Sequence, residues 1–467
     1  MADKKTNIVF IMADDLGYGD LSCYGATQIT TPNLDKLADE GMRFTDAHSP
    51  SAVCTPTRYG VLTGRYCWRT ELTKGVLLGY SPPLISNGEA TVASLLKTAG
   101  YRTAAIGKWH LGLGWAQHGE NVDFTERIQG GPLELGFDYF FGIPASLDMA
   151  PYTYIENDRT VGIPSVEKTP LNRSQREGLM VPGWEDDRVN MTLTEKAVEQ
   201  IKDAASHPEQ PFFLYMALTG PHTPWNPADF VKGKSSVGLR GDMILELDWT
   251  VGQITQALEQ HGLKDDTLVI FTSDNGPDSR EIDELAEYGH NNTANLRGIK
   301  ADIWDGGHRV PYIAAWPGRI PPGTVSDEII ELTDLMATCA SIGEIDLPDE
   351  AAPDSYDILP ALLGESSPAP IREAAIHHSV DGMFSIRQGK WKLVEGLGSG
   401  GFSVPRRIEP TPGGPQGQLY NLEDDLYETN NLYQDYPEIV RDLSLLLERY
   451  VEQGHSRPRK HGSGHNE

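Results

Sequence analysis

Four short apolar runs share one layout. "NIVFIMADD" closes on Asp14 and Asp15, and "YRTAAIGKWH" closes on Lys108 and His110. "PFFLYMALTGPH" closes on His222, and "DTLVIFTSDNG" on Asp274 and Asn275. Each run is continuous rather than alternating and is rich in β-forming residues. That predicts strands covered on both faces of a mostly parallel sheet. Between them the apolar positions switch to helical spacing, in "TPNLDKLADEGM", "TVASLLKTAGY", "TLTEKAVEQIKDAA" and "MILELDWTVGQITQALEQHG". The first has Pro32 near its start and Gly41 at its end, the usual order of helix signals. Alternating strand and helix predicts an α/β class. Ligands in such folds bind beyond the carboxyl ends of the strands, so the four polar endings are expected to meet.

The pattern changes near residue 365, where "GESSPAP" reads as a joint between a larger domain, 1–365, and a smaller one, 366–455. In the smaller, "FSIRQGKWKLVE" predicts two antiparallel strands around a turn. "SGGFSVPRRIEPTPGGPQG" reads as a loop and "PEIVRDLSLLLERYVEQG" as an amphipathic helix, which together predict an α+β unit. The tail, 456–467, is expected to be disordered. No internal repeat is evident.

Composition narrows the partners. With 39 basic and 67 acidic residues the formal charge is −28, which disfavours nucleic acid and anionic membrane as partners. An anionic substrate would need positive charge gathered in a local pocket. No stretch approaches a membrane span, and the run Ile8 to Ala13 is too short for a signal segment. The four cysteines, Cys23, Cys54, Cys67 and Cys339, are too sparse for a disulfide scaffold, although one bridge is open. No CxxC pair points to zinc.

The strand endings offer three carboxylates and an amide oxygen, from Asp14, Asp15, Asp274 and Asn275. Hard oxygen donors of this kind suit Ca²⁺, ahead of Mg²⁺, rather than zinc. Taken separately, the DD and DN pairs also suit helix caps. Arg58, Lys108, His110, His222 and Lys300 lie at strand ends or in Gly-rich loops. Around a divalent cation they would make an anion clamp in an acidic shell. Cys54 stands in "SPSAVCTPTR", where Pro56 reads as a helix breaker and Arg58 brings a fixed charge. A reactive thiolate would call for a nearby base, and no histidine lies within five residues.

The residues from Cys54 to Arg58 have the form C-x-P-x-R and continue into "GVLTGR". This resembles the signature of the type I, formylglycine-dependent sulfatases of the alkaline phosphatase superfamily. The resemblance spans the chain through "NIVFIMADDLGYGDLSCYG", "GKWHLG", "GFDYFFG", "SDNG", "LRGIKADIWDGGHRVP" and "QLYNLEDDLYETNNL". It implies an alkaline-phosphatase-like α/β fold with a small C-terminal domain. It also implies conversion of Cys54 to Cα-formylglycine by a formylglycine-generating enzyme. Asp14, Asp15, Asp274, Asn275 and the converted Cys54 would hold Ca²⁺. The hydrated aldehyde would attack sulfur in line, with Lys300 and His222 on the sulfate and leaving oxygen. His110 would take the second diol proton, and Arg58 and Lys108 would orient the diol.

The stretches "GYSPPL", "GWAQHG", "GIPASLDMAPYTY" and "GHNN" fall in expected pocket-wall loops. They make Tyr80, Trp115, His118, Asp148, Tyr152, Trp225, His290 and His308 the candidates for holding a leaving group. Likeness to the N-acetylgalactosamine-6-sulfatase branch implies an exo-acting enzyme on a 6-O-sulfated galactose or N-acetylgalactosamine. It also implies export to the periplasm or cell exterior, with "ADKKTN" resembling a mature N-terminus. Three other readings stay open. One is a phosphonate or phosphate monoester hydrolase on the same fold. Another is a non-catalytic, calcium-dependent binder of sulfated glycans. The third leaves Cys54 unmodified in a redox or structural module.

Overall fold

The computed structural model describes residues 5–119, 121–365 and 367–459. Its main sheet has ten strands: β1 (Asn7–Asp14), β2 (Met42–Phe44), β3 (Arg102–Lys108), β4 (Tyr139–Ile143), β5 (Ile155–Glu156), β6 (Arg159–Thr160), β7 (Phe212–Pro221), β8 (Thr267–Ser273), β9 (Tyr312–Ala315) and β10 (Thr324–Ser326). Their spatial order is β10-β2-β9-β8-β1-β7-β3-β4-β5-β6. The four apolar runs are the adjacent strands β8, β1, β7 and β3, all mutually parallel, and β4 extends the parallel set. Antiparallel neighbours flank this block on both sides. The fold is the expected α/β arrangement, alkaline-phosphatase-like, with a mostly parallel centre.

The unbroken hydrophobicity of β1 has a direct cause. Ile8, Phe10 and Met12 enter the core on one face, while Val9, Ile11 and Ala13 enter the core on the other. The helices Val189–Ala205 and Gly238–Gln260 cover the second face through Leu193, Ala197, Ile244 and Val251. The first face carries Cys54–Thr63, Val92–Thr98 and Leu335–Ile342. All four helices expected from spacing form, with shifted ends.

Cys54 opens a helix, contrary to the breaker reading of Pro56. Proline is third in Cys54–Thr63. First-turn N–H groups have no intrahelical acceptor, so a missing one costs little there.

A second sheet joins Ala375–His378, Phe384–Gln388, Trp391–Val394 and Gln418–Asn421, all antiparallel, backed by the helix Pro437–Gln453. Its core of Ile376, Ile386, Leu393, Leu443 and Leu447 also takes in Tyr66 and Trp68, from the segment after the Cys54 helix. The start of the expected disordered tail is held in place. Ser456 N donates to Asp354 Oδ1 at 3.0 Å, and Arg457 N donates to Pro353 O at 3.0 Å. Residues 460–467 lie outside the described residues.

Candidate active site

The carboxyl ends of β1, β3, β7 and β8 deliver their polar residues to one buried cluster. Asp14, Asp15, Cys54, Arg58, Lys108, His110, His222, Asp274, Asn275 and Lys300 are all buried. Ligand-capable atoms of Asp14, Asp15, Cys54 and His222 lie within 4.8 Å of one another. Cys54, first in its helix, places Sγ 3.6 Å from Asp14 Oδ1. All four cysteines are free thiols.

Each carboxylate has its own cation. Lys108 Nζ donates to Asp14 Oδ2 at 2.7 Å, and Lys300 Nζ to Asp15 Oδ2 at 2.7 Å. Arg58 grips Asp274 Oδ2 through Nε at 3.1 Å and Nη2 at 2.7 Å. Burial works against ionised Asp14, but Lys108, His222 and Arg58 together hold its carboxyl below the usual range. Burial, then the charge of Asp14, pushes Asp274 up. Lys300 is held well above its ordinary value because Asp15 and its neighbours outweigh burial. Burial pushes the Cys54 thiol up, which argues against a free thiolate nucleophile.

The donor set fits a hard divalent cation. Asn275 Nδ2 donates to Asp15 Oδ1 at 2.8 Å and to Gly276 O at 2.9 Å, which fixes the amide orientation. Its Oδ1 is then buried with no protein partner. An orphaned amide oxygen beside three carboxylates lacks a positive partner, and oxygen donors without sulfur or a committed imidazole suit calcium or magnesium.

Both histidines have assignable tautomers. His110 adopts φ 57°, and its Nε2 lies 2.8 Å from Leu77 O. A carbonyl only accepts, so Nε2 carries the proton and Nδ1 holds a free lone pair; that atom is buried and unpartnered. Burial, with Lys108 and Arg58 nearby, keeps this imidazole neutral. His222 Nδ1 faces Thr223 O at 2.5 Å and so donates there, leaving Nε2 3.6 Å from Asp15 Oδ2.

Ser146 completes the pocket and carries little sequence signal. Its Oγ lies 3.3 Å from Lys108 Nζ and 3.2 Å from His222 Nδ1. The one available clue is that "PASLDM" follows β4, a fifth parallel strand end.

The candidate leaving-group residues divide. Tyr80 is exposed, with its ring 6.3 Å from that of Trp115. Trp115 is buried and ties its Nε1 to Gly79 O at 2.9 Å, so it props the Tyr80 loop. Asp148 follows Ser146 closely; one carboxylate oxygen meets Arg176 Nη1 at 2.5 Å and the other is free. Trp225 is half-buried beside His222 and donates to Pro221 O at 3.0 Å. Tyr152 is a correction, because it is buried and its hydroxyl is spent on Arg176 O. His290 is another: it is buried behind the pocket with Nε2 2.8 Å from Asp20 Oδ1. His308 is sealed with His48 and His377, its Nδ1 3.0 Å from His48 Nδ1. His118 sits on an exposed hairpin, Gln117–His118 with Asn121–Val122. Spacing along a loop does not reveal which way a side chain turns.

Known proteins resemble this chain over most of its length. Residues 6–345 match the family described as Sulfatase. The chain is 38% identical to the N-acetylgalactosamine-6-O-sulfatase of Bacteroides thetaiotaomicron, over 95% of this chain and 93% of that protein. It is 36% identical to human arylsulfatase A, over 83% of this chain and 74% of the relative. A solved Bacteroides thetaiotaomicron structure, from work on a core genetic locus for metabolism of multiple glycosaminoglycans, superposes with TM-score 0.86 at 36% identity. It covers 96% of this chain and 100% of its own. The PsFucS1 sulfatase from Pseudoalteromonas sp. superposes with TM-score 0.77 at 26% identity, over 97% of this chain and 92% of its own.

Proposed function

The chain belongs to the sulfatase family and is a sulfuric ester hydrolase; from that premise we propose that it removes a 6-O-sulfate from a terminal galactose or N-acetylgalactosamine, with Ca²⁺ and a formylglycine made from Cys54. The observation that carries the reaction is the buried meeting of three carboxylates, the orphaned Asn275 Oδ1 and Cys54 with three cations. The near-full-length likeness to an N-acetylgalactosamine-6-O-sulfatase supports the sugar.

Asp14, Asp15, Asp274 and Asn275 would hold the ion. When bound, calcium supplies Lewis-acid activation of an oxygen nucleophile and charge for a sulfuryl group. Formylglycine, as the hydrated aldehyde, supplies that oxygen. Lys108 and Lys300 bring ammonium groups to the pocket that receives the sulfate, and the Ser146 hydroxyl steadies Lys108 and His222. Arg58 neutralises Asp274 and fixes it for the ion. His222 keeps its Nδ1 proton on Thr223 O, so Nε2 is the atom turned to the departing sugar oxygen, and it would serve as the acid there only in the doubly protonated ring. His110 offers a free lone pair at Nδ1 for the proton released as sulfate leaves. Asp148 would accept from a sugar hydroxyl through Oδ1, a buried oxygen that no protein group bonds.

The test is sulfate release, by ion chromatography, from N-acetylgalactosamine 6-sulfate, its 4-sulfate isomer, and the sulfate and phosphate esters of one phenol. Preference for the 6-sulfate is expected. Faster phosphate release would favour the phosphohydrolase alternative, and tight binding without release would favour the glycan-binding one. The maturation and periplasmic or extracellular location proposed with this reading are tested by mass spectrometry of the Cys54 peptide and by cell fractionation.

A further inference from the structure

A chain with a formal net charge of −28 repels a polyanionic glycan, and screening over about 8 Å at physiological salt leaves only nearby charge to oppose it. Three exposed arginines are tied to segments that adjoin the Lys300 loop. Lys300 N donates to Pro277 O at 2.9 Å, which sets the segment leading to Arg280 against the catalytic lysine. The guanidinium of Arg280 lies 3.7 Å over the Phe402 ring, and its Nε and Nη2 bond Asp278 at 2.9 and 2.5 Å. Phe402 is itself seated on the Lys300 loop, with its N donating to Asp302 Oδ1 at 2.7 Å. Asp381 follows Val380, whose N donates to Ala301 O at 3.0 Å. Asp381 in turn holds Arg406 Nε at 2.8 Å and Arg407 Nε at 3.3 Å. The arginine side chains keep 49%, 53% and 65% exposure. Asp278 and Asp381 bond these guanidiniums directly, and Asp15 and Glu281 also act on Arg280 through their charge.

We propose that Arg280, with Arg406 and Arg407 behind it, forms a second anion subsite beside the Lys300 loop, which takes a carboxylate or further sulfate of the glycan beyond the sulfate being removed. The proposal rests on the sulfated-sugar reading above. Asp278 occupies the Nε–Nη2 edge of Arg280 and leaves the Nη1 edge to the ligand. Stacking on Phe402 holds the plane before binding, so little rotamer freedom is lost. The C-terminal unit therefore contributes directly to substrate choice, through Phe402, Arg406 and Arg407.

The test uses the mature, full-length enzyme and three probes. These are N-acetylgalactosamine 6-sulfate, the same sugar linked to a hexuronate, and that disaccharide with its carboxyl reduced to an alcohol. A 4,6-disulfated monosaccharide separates a second sulfate from a neighbouring carboxylate. Wild type is expected to favour the hexuronate disaccharide over the reduced one in kcat/KM and in calorimetric Kd. Arg280→Ala is expected to lose about 3- to 10-fold of that preference, as for a partly exposed charge pair. Its rate on the monosaccharide should be unchanged. Arg280→Lys should restore part of the preference, and raising salt should flatten wild type toward the alanine variant. Loss of the disulfate preference instead would assign the subsite to a second sulfate. Equal ratios in wild type and Arg280→Ala, on both pairs of probes, overturn the proposal. Failure of wild type to desulfate the monosaccharide overturns the 6-sulfate reading, while the binding ratio still decides the subsite.

Discussion

Replacing Arg240 by methionine removes a cation from behind the pocket without replacing a pocket residue. Arg240, on the helix Gly238–Gln260, is 2% exposed. It bonds Asp20 Oδ1 and Oδ2 at 3.0 and 2.5 Å, Glu284 Oε2 at 2.8 Å, and the carbonyl of Asp15 at 3.2 Å. Asp15 has φ 67°, a conformation that needs support from its surroundings. After the change Asp20 keeps His290 Nε2 and Gly17 N, and Glu284 keeps Asn292 Nδ2, but both lose the guanidinium. Breaking a buried pair from one side costs about 3–5 kcal/mol. Denaturant unfolding of the metal-free protein at pH 7 should show a loss of that size. Calcium affinity, by calorimetry on whatever folds, should also fall, because Asp15 has lost the donor that sets its carbonyl. Lowering the pH toward 5 should return part of the stability, since a protonated Glu284 no longer buries an unpaired charge. Adding Asp20→Asn and Glu284→Gln should recover more than additivity predicts. A single variant within about 1 kcal/mol of wild type, with unchanged calcium binding, would refute the argument.

Other perturbations reach different parts of the molecule. Lys108→Ala or His222→Ala should lower kcat/KM by at least about 10²-fold, the cost of one placed charge-stabilising donor, while circular dichroism stays native. Removing calcium with a chelator should abolish turnover and lower Tm. Returning the ion to 100 times its Kd should restore about 2.7 kcal/mol, and an unchanged Tm would count against the site. Burial lowers His378 to about 4, so it stays neutral when folded but charges below about 6.5 when unfolded. The unfolded state then binds the extra proton, and stability falls as pH drops from 6.5 to 4, by about 3 kcal/mol for this residue. His378→Gln should flatten the stability–pH curve in that window and leave it unchanged above pH 7. Gly107→Ala should prevent folding or nearly so, since at φ 116° its Cβ would meet Ala217 O at 1.8 Å inside the parallel sheet.

Much of the site was legible because a buried parallel strand has to be apolar throughout and can turn polar only at its end. "NIVFIMADD" and "DTLVIFTSDNG" announce both the strand and the oxygen donors at its end, and adjacency of β1 and β8 brings Asp14, Asp15, Asp274 and Asn275 together. The C-x-P-x-R stretch singles out Cys54 by resemblance, whatever its local conformation, whereas Pro56 by itself does not reveal the helix that Cys54 starts. What periodicity does not contain is the direction of a loop side chain. His290 and His308 stand in polar, Gly-rich loops much like those of His110 and His222, yet close on Asp20 and His48 in the interior. Ser146, a serine after a short strand, matters only because β4 lies beside β3 and sets its hydroxyl between Lys108 and His222. Arg240 lies some 220 residues from the loop it holds. By itself, the sequence determined the strand ends, the donor chemistry and the family, all of which are local. Which polar groups face the pocket, which lock the loops behind it, and how the loops around Val380 and Ser399 meet the segment after Lys300 were decided by contacts between distant segments, and only the folded chain makes those.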